Sequence, residues 1–190
     1  MTTLILGLCL FLGGHSLSIV APGFRDRMAA RMGEWPWRGL YSVVSIGTFV
    51  LLLQGYGEAR LEPVVLYEPP RWMHHVTALL MLPVFPLLLT AYLPGRIKTA
   101  AKHPFLVAIK LWAVAHLLSN GTLHDVLLFG GFLAWAVADR ISLKRRAQRP
   151  VPGAPPSAAN DWIAVGLGLG LYVFFLMWAH LRLIGVAPLG

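Results

Sequence analysis

One cysteine, Cys9, in 190 residues excludes an internal disulfide framework and any cysteine-built metal motif. Charge is scarce as well. Only 13% of the residues are charged and 57% are hydrophobic, whereas a soluble domain carries about 25% charged residues. The chain therefore reads as a membrane protein. It has no internal repeat, no Walker sequence, no GxGxxG fingerprint and no HExxH, which removes solenoid, P-loop, dinucleotide-binding and zincin readings. Acid is the scarcer sign of charge, eight Asp and Glu against sixteen Lys and Arg, for a formal net charge of +8. The basic residues fall in short loops between apolar runs and not on an aromatic stacking platform. This points to a cytoplasmic membrane face and away from nucleic acid.

The apolar runs are 4–20, 40–56, 76–93, 105–118, 123–138 and 163–184. Most approach the roughly 17–25 residues that a transmembrane helix needs. The expected fold is all-α, a polytopic integral membrane helical bundle of about six spans forming a single domain over 1–190. The first run has no basic n-region and no clear A-x-A site, so it is expected to stay as a helix and not to be cleaved as a signal peptide. Segments 21–39, 94–103 and 139–161 hold twelve of the sixteen basic residues, against Arg60, Arg71 and Arg182 on the opposite side and Lys110 in a span. Both termini should then face away from the cytoplasm. The Pro-rich piece at about 147–160 reads as a cytoplasmic linker.

Polar residues inside apolar runs cost free energy and so carry information. The stretch 103–146 reads as a helical hairpin. Pro104 opens the first arm, Asn120-Gly121 forms the turn, and a basic run follows Asp139. Antiparallel pairing would set His103 opposite Asp139 and Lys110 opposite Gly130-Gly131, so that His103, Lys110 and Asp139 form a charge network. The expected role is structural or proton-handling, with Lys110 neutralising Asp139.

His15 and His116 lie within apolar runs. His116 shares a helix face with Trp112, Asn120 and Phe105, a stripe that suits either a metal ligand in an apolar pocket or an imidazole bonded to a carbonyl or to Asn120. His15 follows Gly13-Gly14, which permit close approach of a helix or of a flat ligand. His74, His75, His124 and His180 gather at outer ends of spans, where an interfacial set is the default and a second metal or proton-entry site the alternative. Counted from the cytoplasmic ends, His15 and His116 differ in depth by roughly 9 Å at 1.5 Å per residue. Pairing them as ligands then needs tilt, and His116 with His74 or His75 is the competing pair.

Several segments together carry a family resemblance: LGLCLFLGGHS from Leu6, PGFRDRMAAR from Pro22, RGLYS from Arg38, YLPGR from Tyr92, His103-Pro104, and KLWAVAHLLSNG from Lys110. They resemble the NnrU family of bacterial membrane proteins over nearly the whole chain. That family is named for its association with nitrite and nitric oxide reductase genes. It is related to the 15-cis-ζ-carotene isomerase of plants and cyanobacteria, a membrane enzyme that uses histidine-bound haem b. The resemblance implies haem ligands at His15 and His116. Ala113 stands where the plant enzymes have a cysteine, so a thiolate ligand switch does not carry over.

These readings converge on a membrane protein with a histidine-lined haem b pocket. The expected activity is redox-dependent cis-trans isomerisation of a hydrophobic polyene such as ζ-carotene. The alternative is a non-enzymatic haem or redox partner that supports denitrification. A membrane lipid methyltransferase is the third class, but the acidic pair it needs after the second helix is replaced here by Arg140 and Lys144 to Arg146.

Overall fold

The computed structural model describes residues 1–147, 149 and 151–189. Of the Pro-rich stretch, Gln148 and Pro150 lie outside the described residues. The helices are α1 (Thr2–His15), α2 (Leu17–Val20), α3 (Pro22–Met32), α4 (Glu34–Ala59), α5 (Met73–Met81), α6 (Val84–Thr90), α7 (Arg96–Ala101), α8 (Pro104–Ser119), α9 (Leu123–Ser142), α10 (Ala159–Phe174) and α11 (His180–Ile184). A π-helical turn, Phe175–Ala179, joins the last two. No strand forms among the described residues; Val65 and Thr122 make an isolated antiparallel bridge.

Among the described residues three helical stretches are long and apolar enough to cross a membrane: Glu34–Ala59, Met73–Thr90 and Ala159–Ile184. Thr2–His15 and Pro104–Ser119 are apolar but shorter. Of the six spans expected from sequence, three have full length among the described residues, and the reasons the other runs are shorter or more polar are local. The first run breaks at Ser16, whose hydroxyl donates to the Leu12 carbonyl at 2.7 Å and so competes with the helix ladder. Pro83, which lacks an N–H, separates α5 from α6 inside the Met73–Thr90 stretch, which still has full length. Helix α9 has the length, but Asp125, Asp139 and Arg140 lower its mean hydropathy. In α4 only 11% of the most apolar window is buried inside the protein. Its apolar side chains face outward, as those of a lipid-facing helix do.

The chain divides into two compact units, Met1–Leu66 with Thr122–Ala147, and Tyr67–Gly121 with Gln148–Gly190. In the first, α1 lies along α4, and α9 packs on α1, α2 and α4. Leu4, Leu8, Leu52 and Ala59 form its buried core. A Cβ at Gly55 would overlap the backbone of Leu4, so glycine sets how closely α1 and α4 approach. In the second unit α8 packs on α5, α6 and α7, and α10 packs on α6, where a Cβ at Gly168 would overlap Pro86. The Pro-rich stretch is tied down here: Ala154 N–H donates to the Tyr92 carbonyl at 2.9 Å, and the Asn160 amide to that of Pro94 at 2.8 Å. Asp161 then caps α7 by accepting from the N–H groups of Arg96 and Ile97, at 2.8 and 3.1 Å.

The expected hairpin boundaries hold, since Pro104 is the first helical residue and Asn120 the cap. Its arms nevertheless belong to different units, α8 to the second and α9 to the first. Asp139 accepts from Arg146 Nη2 at 2.6 Å within the first unit, and His103 and Lys110 belong to the second.

Candidate functional site

His15 ends α1. Its Nδ1 lies 2.8 Å from the Phe11 carbonyl, four residues earlier. A carbonyl can only accept, so Nδ1 carries the proton and Nε2 carries the lone pair, the form in which imidazole ligates a metal. Aromatic rings surround it. The Phe11 ring centroid is 4.2 Å away, Tyr41 5.5 Å, and Trp135 6.1 Å and nearly perpendicular at 86°. The orphaned groups in this unit matter too. Trp135 Nε1 and Arg146 Nη1 are buried donors with no hydrogen-bond partner among the described residues. Both belong to the chain segment that carries Asp139: Trp135 is one helical turn before it and Arg146 is bonded to it.

His116 sits in the last turn of α8 in the second unit, and its geometry repeats that of His15. Nδ1 is 2.8 Å from the Trp112 carbonyl, so the lone pair is again on Nε2. The Trp112 ring is 5.5 Å away. The sequence offered the imidazole a neighbouring carbonyl or Asn120, and the Trp112 carbonyl is bonded. The Asn120 amide donates to the backbone carbonyl of His116 at 2.9 Å, which closes the helix end. Phe105, placed on the same stripe, is 41% exposed and does not line the site.

A cleft of about 50 Å³ opens beside His116, lined among others by Thr77, Met81, Phe85, Tyr172 and His180. Every polar hydrogen identified on its lining is spent on a backbone carbonyl: Thr77 donates to Ala115, Tyr172 to Ala78, His116 to Trp112, and His180 Nδ1 to Val186 at 2.7 Å. The lining is thus mainly apolar surface. Its volume is far below the roughly 300–1,000 Å³ of pockets that enclose drug-sized ligands, so the cleft alone does not enclose a macrocycle. His74 and His75, the competing ligands, stand in the first turn of α5 and do not line it. His180, which the sequence left among interfacial histidines, does. The π-helical turn just before it is the signal, since such turns recur at functional sites.

The NnrU family profile, described as NnrU protein, matches residues 3–188. The chain belongs to the NnrU family. Neither the curated proteins nor the solved structures contain a match.

In this NnrU chain one further polar cluster escaped the sequence reading. His124 and Asp125, 4% and 5% exposed, open α9. Tyr56 donates to Asp125 Oδ1 at 2.6 Å and Thr122 to Asp125 Oδ2 at 2.5 Å. With its only hydrogen spent on Asp125, the Thr122 hydroxyl accepts from His124 Nε2 at 2.9 Å. The order Asp125, Thr122, His124 leaves His124 Nδ1 with a buried lone pair and no partner among the described residues. Thr-x-His-Asp at a helix start reads as an ordinary cap, and only the fold brings Tyr56 to it. Among the described residues no group of three or more His, Cys, Asp or Glu is placed to hold a metal ion.

Proposed function

We propose that this NnrU protein is an inner-membrane protein of about six spans, with periplasmic termini, that holds haem b through His15 and His116. The reading rests on one observation: in both histidines Nδ1–H is pinned to the carbonyl four residues earlier, the tautomer in which a neutral imidazole would hold a haem iron. The donor set fits the group. Neutral imidazole is the haem b ligand, the rings of Phe11, Tyr41 and Trp135 suit a flat apolar partner at His15, and Trp112 does so at His116.

The reaction we assign is cis-trans isomerisation of a hydrophobic polyene such as ζ-carotene. When bound, haem supplies a one-electron centre that relaxes double-bond order without net oxidation of the substrate. The chain's own residues hold the imidazoles in one tautomer, supply apolar walls and bring the site to a lipid-soluble substrate. Ala113 keeps thiolate ligation out of the His116 helix.

The test is to incubate dithionite-reduced, haem-loaded protein in detergent with a cis-polyene and to separate the isomers by chromatography. Conversion that needs the reduced state supports the isomerase. Haem that cycles between oxidation states with no isomer change would replace it with a redox partner for denitrification enzymes.

A further inference from the structure

We propose that Trp135 and Arg146 form a carboxylate-binding pair beside His15, there to hold the propionate edge of the haem. This deepens the functional reading above and rests on it. Three side-chain polar atoms among the described residues are buried without a hydrogen-bond partner, and two of them, Trp135 Nε1 and Arg146 Nη1, are donors linked through Asp139, one on its helix a turn earlier and the other bonded to it. Buried donors are normally satisfied, because leaving one unmet costs most of its desolvation free energy.

The geometry gathers these groups on one line. The Trp135 ring stands edge-on to the His15 imidazole at 6.1 Å. Asp139 follows one helical turn later on the same face of α9, and Arg146 Nη2 is held on Asp139 at 2.6 Å. That bond occupies Nη2, while Nη1 is buried and has no acceptor among the described residues. The Arg146 side chain is 15% exposed, so water does not readily satisfy it.

An indole N–H and a guanidinium N–H call for an anion with more than one acceptor oxygen, and a carboxylate has that form. The neighbouring imidazole lone pair and the rings of Phe11 and Tyr41 call for a flat apolar body that carries a metal. Haem b joins both in one molecule. Arg146 follows α9 within the basic run, where the polar edge of a membrane-embedded cofactor meets the headgroup region. A phospholipid phosphate shares the anionic chemistry, so the experiment separates the two sources.

The experiment is a spectral titration of the detergent-purified full chain with haem b and with its dimethyl ester, which lacks the carboxylates. Wild type should bind haem about ten- to a hundredfold more tightly than the ester, the range for a charged hydrogen bond. Trp135→Phe, which keeps the ring and loses the donor, should weaken haem about tenfold and leave the ester unchanged. The paired variant Asp139→Asn/Arg146→Gln, which avoids an uncompensated charge, should do the same. Equal binding of haem and ester by wild type overturns this proposal while the haem reading stands. If instead phosphatidylglycerol, and not phosphatidylcholine, weakens haem and ester alike, the pair holds a lipid phosphate and the propionate assignment falls. No binding of either porphyrin overturns both readings.

Discussion

Arg146 holds Asp139 at 2.6 Å, with both side chains about 15% exposed. The pair lies within the first unit, so the charge that α9 carries at its C-terminal end is compensated by its own following turn. Removing one partner of such a pair leaves the other desolvated and unmatched, at about 3 kcal/mol. Arg146→Met should therefore lower the thermal midpoint clearly, and Asp139→Asn in the same chain should recover part of the loss. Lys110→Met should leave Asp139 satisfied. Thermal unfolding in detergent checks this, and a Lys110→Met loss as large as that of Arg146→Met would refute the assignment.

The Tyr56 hydroxyl reaches Asp125 from α4 at 2.6 Å, which ties α4 to the start of α9. A hydrogen bond to a buried carboxylate contributes about 1.5–3 kcal/mol. Tyr56→Phe should cost that much in denaturant unfolding, and Thr122→Val should cost at least as much because it strands both Asp125 and His124. An unchanged midpoint in both variants would mean that the cluster adds nothing to stability.

Gly55 has no room for a side chain against Leu4, and Gly168 has none against Pro86. Overpacking at such a contact costs about 1–3 kcal/mol. Gly55→Ala and Gly168→Ala should each reduce yield and midpoint, whereas Gly57→Ala, which meets open space, should not. Comparable losses at all three would show that helix approach is not the cause.

Orientation follows from the twelve-to-three split of basic loop residues. A reporter fused after Arg149 should behave as cytoplasmic, and one fused at the C-terminus as periplasmic. If both report the same side, the six-span topology is wrong.

What the sequence disclosed and what it hid have physical reasons. Pro104 and Asn120 mark helix ends because their effects are local, and both boundaries appear where the pattern puts them. His15 and His116 stood out because imidazole inside an apolar run is costly, but the carbonyls that fix their tautomers depend on side-chain rotamers that no spacing reveals. The break at Ser16 was missed because one hydroxyl among apolar residues barely changes hydropathy. Asp125 and Tyr56 are too far apart in the chain for any motif to join them.

The account's central claim is that His15 and His116 ligate a b-type haem, and absorption spectra of the purified protein, oxidised and dithionite-reduced, test it most directly. Expression with a haem precursor should give a Soret band with reduced-state bands of a b-type haem. His116→Ala should abolish it, His15→Ala should shift it toward a five-coordinate form, and His124→Ala, whose ring is held by Thr122, should leave it unchanged. A colourless wild type, or a His116→Ala protein with an unaltered spectrum, would contradict the claim.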